Sequence, residues 1–405
     1  MSKKNSLALF LVLVVISSTS YWTPKNELQE INEFYTPVEI DNGNGTWTLQ
    51  YQDDGSGGFS DAVITSVSPS AVDTTSTIIE ISSDPQNGTE QRALFGIDLS
   101  TVGFMSNITI ISASLELTID TAPSIATNVM GLMTYRDWVD PSWNGATPAI
   151  SWTEPGGDSN SDSGGPNSFV PATSSSTSIS LDVTDNLKVG QARNAQGNGG
   201  FVGVMVMGAA WNSESYLPWS MSFHSSESGI SYLRPQWNII VNWNQPATLS
   251  SVDPGWVDIE PRFGQVSADT DSPLKAQVRH EDGSVSSSPV NWNVVAGTGF
   301  VDSSGLFSPL SSGFEFICAE AINGETGCII LFVTPGAPVS MSIIPSNASF
   351  PVGVDIQLSA LFSDIKGNDY PASPQWSADS GTIHPNGTYE LTEVGTHRVD
   401  ASAAG

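Results

Sequence analysis

The chain repeats itself, and that repeat limits the fold more than any other feature. Ile259 and Pro261 return 84 positions later as Ile343 and Pro345, and Leu274, Ala276 and Val278 return as Leu358, Ala360 and Phe362. Gly283, Trp292 and Gly297 recur as Gly367, Trp376 and Gly381. After a two-residue deletion, Gly305, Phe307, Gly313, Ile317 and Ala319 recur as Gly387, Tyr389, Gly395, Val399 and Ala401. Apolar residues at every second position mark half-buried strands. The spacing therefore predicts two copies of one small β-domain, at 252–335 and 336–405, after a polar linker at 244–251. The second copy stops before the counterpart of Cys328 to Val333, so it is expected to be incomplete, with the natural chain continuing past Gly405.

Upstream, Arg92 to Asp120 reads as two strands. Ala93, Phe95, Ile97 and Leu99 alternate in the first, and Ala113, Leu115, Leu117 and Ile119 alternate in the second. Phe201 to Met207 (FVGVMVM) is apolar at every position and predicts a central strand covered on both faces. Trp219, Met221 and Phe223 alternate in one closing strand, and Trp237, Ile239 and Val241 alternate in another with core spacing. Thr184 is the expected N-cap of a short helix through Lys188 and Gln191. This strand density over 61–243 predicts a jelly-roll-like sandwich. The segment 21–60 reads as a polar extension with one strand near Trp47 to Tyr51.

The ordered segments DAVI at Asp61, RALFGIDLS at Arg92, ISASLELTI at Ile111, WTEPGGD at Trp152, SLDVTDNL at Ser180 and FHSSESGISYLRPQWNIIV at Phe223 resemble the DNRLRE, or disaggregatase-related, family, which includes alginate-binding carbohydrate modules. That resemblance implies an extracellular β-sandwich that binds polysaccharide or accompanies proteins that do. One central tryptophan per repeat, Trp292 and Trp376, and inward alternation fit an immunoglobulin-like sandwich. With the VDSSGLF turn at Val301, the repeats are similar to bacterial Ig-like (Big) domains. The fold class expected is all-β: a jelly-roll-like sandwich followed by two immunoglobulin-like sandwiches, the second truncated.

Thirteen Lys+Arg against 42 Asp+Glu leave a formal charge of −29. Nucleic acid and anionic lipid need clustered cations, so both are poor partners for this surface. Lys3 and Lys4 precede the apolar run Leu7 to Ile16, followed by Ser17, Ser18 and Ser20. That run is too short for a bilayer core of about 30 Å and predicts an export signal over 1–20, with an uncleaved anchor as the alternative. In an exported chain Cys318 and Cys328, flanking the turn at Asn323-Gly324, are expected to form a disulfide. Asn44, Asn87, Asn107, Asn347 and Asn386 open N-glycosylation sequons.

No nucleophile, metal or phosphate motif stands out, and His224, His280, His384 and His397 lie far apart in sequence. Acidic pairs for glycoside cleavage need only lie ~5–10 Å apart in space, so sequence cannot identify them. Asp158, Asn160 and Asp162 fall at alternate positions before Gly164 and Gly165, as in an oxygen-donor Ca²⁺ loop, although Phe169 stands where a bidentate glutamate belongs. Trp138, Trp143, Trp152, Trp211, Tyr216 and Trp219 occur in or beside loop-like stretches and form a candidate sugar-stacking set. Arg92, Arg136, Lys188, Arg193 and Arg234 are the cations of 61–243, too few for a polyanion, so a neutral polysaccharide is the expected ligand. These features predict a secreted or cell-surface, non-catalytic protein that binds extracellular glycan, with the repeats as spacer. A structural stalk or adhesion protein, or the N-terminal part of a polysaccharide-degrading enzyme, is the alternative.

Overall fold

The computed structural model describes residues 37–53, 57–84, 87–104, 108–159, 161–209, 218–246, 255–261, 263–280, 284–322, 324–371 and 373–402. The fold is all-β, built from sandwich-type layers. One layer of the first sandwich runs Val38–Asp41, Trp47–Gln52, Gln236–Pro246, Ile108–Thr121, Ser178–Asp182. The other runs Ser163–Ala172, Thr127–Thr134, Phe201–Ala209, Thr89–Asp98, followed by Ile78–Asp84 and Trp219–His224, with Phe59–Thr65 also paired to Thr89–Asp98. The far end of Ile108–Thr121 pairs with Trp219–His224, so this long strand joins the layers.

The two strands of the Arg92 to Asp120 stretch do not pair with each other. Thr89–Asp98 and Ile108–Thr121 lie in opposite layers, and Ala93, Phe95 and Ile97 meet Ala113, Leu115 and Leu117 in one buried core. Leu49 and Tyr51, from the segment read as an extension, lie in that core too. The helix forms at Thr184–Ala195, but Thr184 does not cap it. Its hydroxyl instead accepts the Ala113 N–H at 2.8 Å, tying the helix start to the strand Ile108–Thr121, the partner of the strand that leads into the helix.

Phe201–Ala209 is covered on both faces, for two separate reasons. Val202, Val204 and Val206 point into the sandwich, while Met205 points outward with Ala62, Ile64, Leu94, Met130 and Leu132. That outer apolar face is covered by the 135–163 loops and by Phe316 and Ile330 of the first repeat. Phe169 stacks on Phe316 with centroids 4.2 Å apart, and Tyr135 stacks on Trp256 at 4.0 Å. The sandwich and the first repeat thus share a second apolar core.

The sequence repeat reappears as identical pairing. Ile259 faces Ala276 as Ile343 faces Ala360, and Trp292 faces Ala319 as Trp376 faces Ala401. Val301 faces Phe307 as Ile383 faces Tyr389, which places the two-residue deletion in the turn after Gly297. Cys318 and Cys328 stand directly opposite on a hairpin and are joined by a disulfide. The junction between repeats is polar. Asp364 accepts the Gly336 N–H at 2.7 Å and Asp269 accepts the Ala337 N–H at 2.6 Å, while Lys366 Nζ reaches the Pro309 carbonyl at 2.6 Å.

Candidate functional site

The 135–163 loops hold most of the candidate ligand residues, and the structure turns Trp138, Trp152 and Asp162 inward. Trp138 is 2 % exposed and Trp152 4 %, both in the core shared with the first repeat; Trp219 is equally buried, in the sandwich core. A ring so covered presents no face to a sugar, which corrects the expected stacking set. The reason lies in the sheet beneath: its outer face is apolar, and the loop rings supply its cover. Trp143 is half-buried, with the Arg92 guanidinium 4.8 Å from its ring centroid. Trp211 and Tyr216 lie outside the described residues, as do Asn107 and Asn160. Asn44, Asn87, Asn347 and Asn386 are exposed, so the protein surface leaves those sequons accessible.

Asp158 and Asp162, expected in a Ca²⁺ loop, enter two separate ion pairs. Arg92, 3 % exposed, donates to both oxygens of Glu90 at 2.9 Å, to Asp158 at 2.6 Å and to the Gly156 carbonyl at 2.8 Å. Burial opposes its charge, but Glu90 and Asp158 outweigh that and hold its pKa above the ordinary arginine value. Asp162 is fully buried and accepts Arg136 Nε at 2.7 Å, the Thr153 N–H at 2.6 Å, the Thr153 hydroxyl at 3.0 Å and the Glu154 N–H at 3.1 Å. The two carboxylates therefore serve different arginines rather than one cation. Among the described residues no group of three or more His, Cys, Asp or Glu side chains is placed to hold a metal.

Among the described residues, a concavity lies at the start of Phe59–Thr65. A cavity of about 190 Å³ is lined by Phe59, Ser60, Asp61, Thr74, Trp138, Val139, Asp140, Ser226 and Glu227. Asp61, 6 % exposed, accepts the Ser226 N–H at 2.6 Å, and the Ser226 hydroxyl donates to Glu227 at 2.9 Å. Burial, reinforced by the neighbouring Glu227 charge, pushes the Asp61 carboxyl up to about 7. The sequence held a signal for this site: Asp61 sits between Phe59 and Val63 at core-facing parity, where an apolar residue belongs.

No family model matches the chain, and no curated protein matches it. Among solved structures it is similar to the S-layer protein SbsC (residues 31–844), with 11% identity and a TM-score of 0.19 over 36% of this chain and 26% of that one. A protocadherin gammaB7 fragment matches with 10% identity and a TM-score of 0.23 over 89% of this chain and 88% of that one. A Clostridium perfringens catalytic domain carrying two CBM51 domains matches with 9% identity and a TM-score of 0.15 over 87% and 32%. The chain thus spans about a quarter of the length of that S-layer protein. TM-scores this low identify no common fold.

Proposed function

We propose that the chain is an exported, surface-associated, non-catalytic protein whose first sandwich and first repeat work as one stiff stem. The observation that carries this reading is the second apolar core, in which Phe316 and Ile330 of the repeat close over Leu94, Met130, Leu132 and Met205 of the sandwich. A flexible spacer would keep these faces polar. The disulfide and the Lys3-Lys4 apolar leader support export. Among the described residues no helix is long and apolar enough to cross a membrane. Kinship with the DNRLRE and bacterial Ig-like families is part of the same proposal and rests on the ordered segments quoted above. Trp138, Trp152 and Trp219 are consumed by packing and drop out of the candidate sugar-stacking set, while Trp143 is half-buried.

Spin labels at the exposed positions Val67, on the sandwich, and Val285, on the first repeat, test the stem by pulsed dipolar spectroscopy. The expected result is one narrow distance distribution. A broad distribution, as a linker between independent modules gives, would overturn the reading. Cell fractionation with antibody against the intact chain tests the surface assignment.

A further inference from the structure

We infer that the outer face of one sandwich layer, together with the Tyr232 turn beside it, binds a neutral polysaccharide. The first sandwich has two unlike outer faces. The one that includes Phe201–Ala209 is apolar and is covered by the 135–163 loops and the first repeat. In the opposite layer Leu49, Tyr51, Leu115, Trp237 and Ile239 point into the core, so the residues between them, Gln50, Glu116 and Asn238, point outward, as does Gln236. All four stay partly exposed.

Their chemistry differs from that of an ordinary solvated strand surface. Asparagine is disfavoured in strands, yet Asn238 sits mid-strand with a ladder on each side, opposite Gln50 and Ser114. A local rule broken in this way marks a functional position. The Asn238 side-chain oxygen accepts Gln50 Nε2 at 3.1 Å and Gln236 Nε2 at 2.6 Å, so three amides hold one another in place. Among the described residues, nothing engages the Asn238 Nδ2 group or the Gln50 and Gln236 oxygens, which leaves N–H donors between two carbonyl acceptors. In the next strand Glu116, opposite Gln236, accepts the hydroxyls of Ser114 and Ser180. Gln50, Gln236, Asn238, Ser114 and Ser180 are uncharged and Glu116 is acidic, so a polyanion is repelled. A sugar hydroxyl, donor and acceptor at once, matches the pattern.

The turn supplies the aromatic part. Tyr232 is 77 % exposed, four residues before Gln236. Its turn is pinned: Arg234 donates to the Ser228 and Asp53 carbonyls at 2.8 Å each, and Gln52 Nε2 donates to the Arg234 carbonyl at 3.0 Å. Gln52 stands opposite Gln236, so the turn is tied to the amide face. The Tyr232 ring is open to stack on sugar C–H faces, as the buried loop tryptophans are not. Groups already fixed lose little freedom on binding. The face spans several strands ~4.8 Å apart and suits a chain of sugars rather than one. This site is independent of the stem: one can fail without the other.

Affinity electrophoresis of the intact chain tests it, in gels containing hydroxyethylcellulose, galactomannan or dextran, with alginate as the polyanion. The expected result is retardation by a neutral polymer and none by alginate. Tyr232→Ala should weaken binding about tenfold. Asn238→Thr should also weaken it about tenfold while keeping or raising the melting temperature, because threonine suits a strand better; a merely structural Asn238 would do the reverse. Migration unaffected by all three neutral polymers, equal retardation by alginate, or retardation unchanged in either variant would each overturn the proposal. If Asn238→Thr does not fold by circular dichroism, Gln50→Thr is read on the same terms.

Discussion

The two repeats share their register residue for residue, yet they are not equally buried. Among the described residues, twelve hydrophobic residues are buried in the first repeat's own core, against three, Ile356, Leu358 and Tyr389, in the second. The pairing of Trp292 with Ala319 and of Trp376 with Ala401 shows that local alternation sets the register in both. Core depth has other sources. In the first repeat the strand Thr326–Thr334 sends Ile329, Leu331 and Val333 inward and turns Ile330 toward the sandwich. In the second, the described strand Val399–Ser402 pairs only with Gln375–Ala378. Val394 there is 92 % exposed, and Val339, Val354 and Ile365 are exposed as well. The same register can thus support a deep or a shallow core, depending on what covers the sheet.

Four experiments break or sharpen this contrast. Phe316→Ala removes the ring by which the first repeat seats on the sandwich. It should cost about 3–5 kcal/mol in urea unfolding and broaden the Val67–Val285 distance distribution. Leu331→Ala should cost about 2–5 kcal/mol, whereas Leu358→Ala, in the thinner core, should fall toward the low end of that range because the site can collapse. Replacing both Cys318 and Cys328 by alanine opens a loop with sequence separation 10 and should cost the first repeat about 2–3 kcal/mol, with no effect on the second repeat's transition. The smallest effect concerns the junction. Burial alone would raise the Asp364 pKa, but hydrogen bonds from Asn368, Gly336 and Lys366 hold it below the usual value. A depressed carboxylate stabilises the folded state above its unfolded pKa of ~3.9, and that contribution disappears as pH falls through the folded value. The junction should therefore be firm at neutral pH and loosen in acid, and Asp364→Asn should remove that pH dependence from the second repeat's melting temperature.

Much of the scaffold was legible in the sequence, because period-two alternation is a local signal. The repeat register, the core alternation of Trp237, Ile239 and Val241, and the disulfide across Asn323-Gly324 are examples. The double coverage of Phe201 to Met207 was legible as well, but not the identity of the second cover, which comes from the 135–163 loops and, more than a hundred positions away, from Phe316 and Ile330. That gap misled the site reading. Trp138 and Trp152 looked available because they sit in loops, yet an apolar sheet face recruits whichever rings its loops carry. Asp158 and Asp162 had calcium-like spacing, but Arg92 and Arg136 lie 66 and 26 positions away in sequence, and spacing cannot reveal such partners. Asp61 was legible in principle, as a charge at core parity.

The junction at Gly336 also bears on mechanics. A Cβ placed there would lie 2.1 Å from the Asp269 carboxyl, so the glycine hydrogen is what admits the carboxylate. Two acids, one on each repeat, hold consecutive peptide N–H groups at Gly336 and Ala337. Tension applied along the chain would load both bonds together instead of one after the other. Any side chain at position 336 would force the Asp269 carboxyl away and leave the Asp364 bond to bear that load alone.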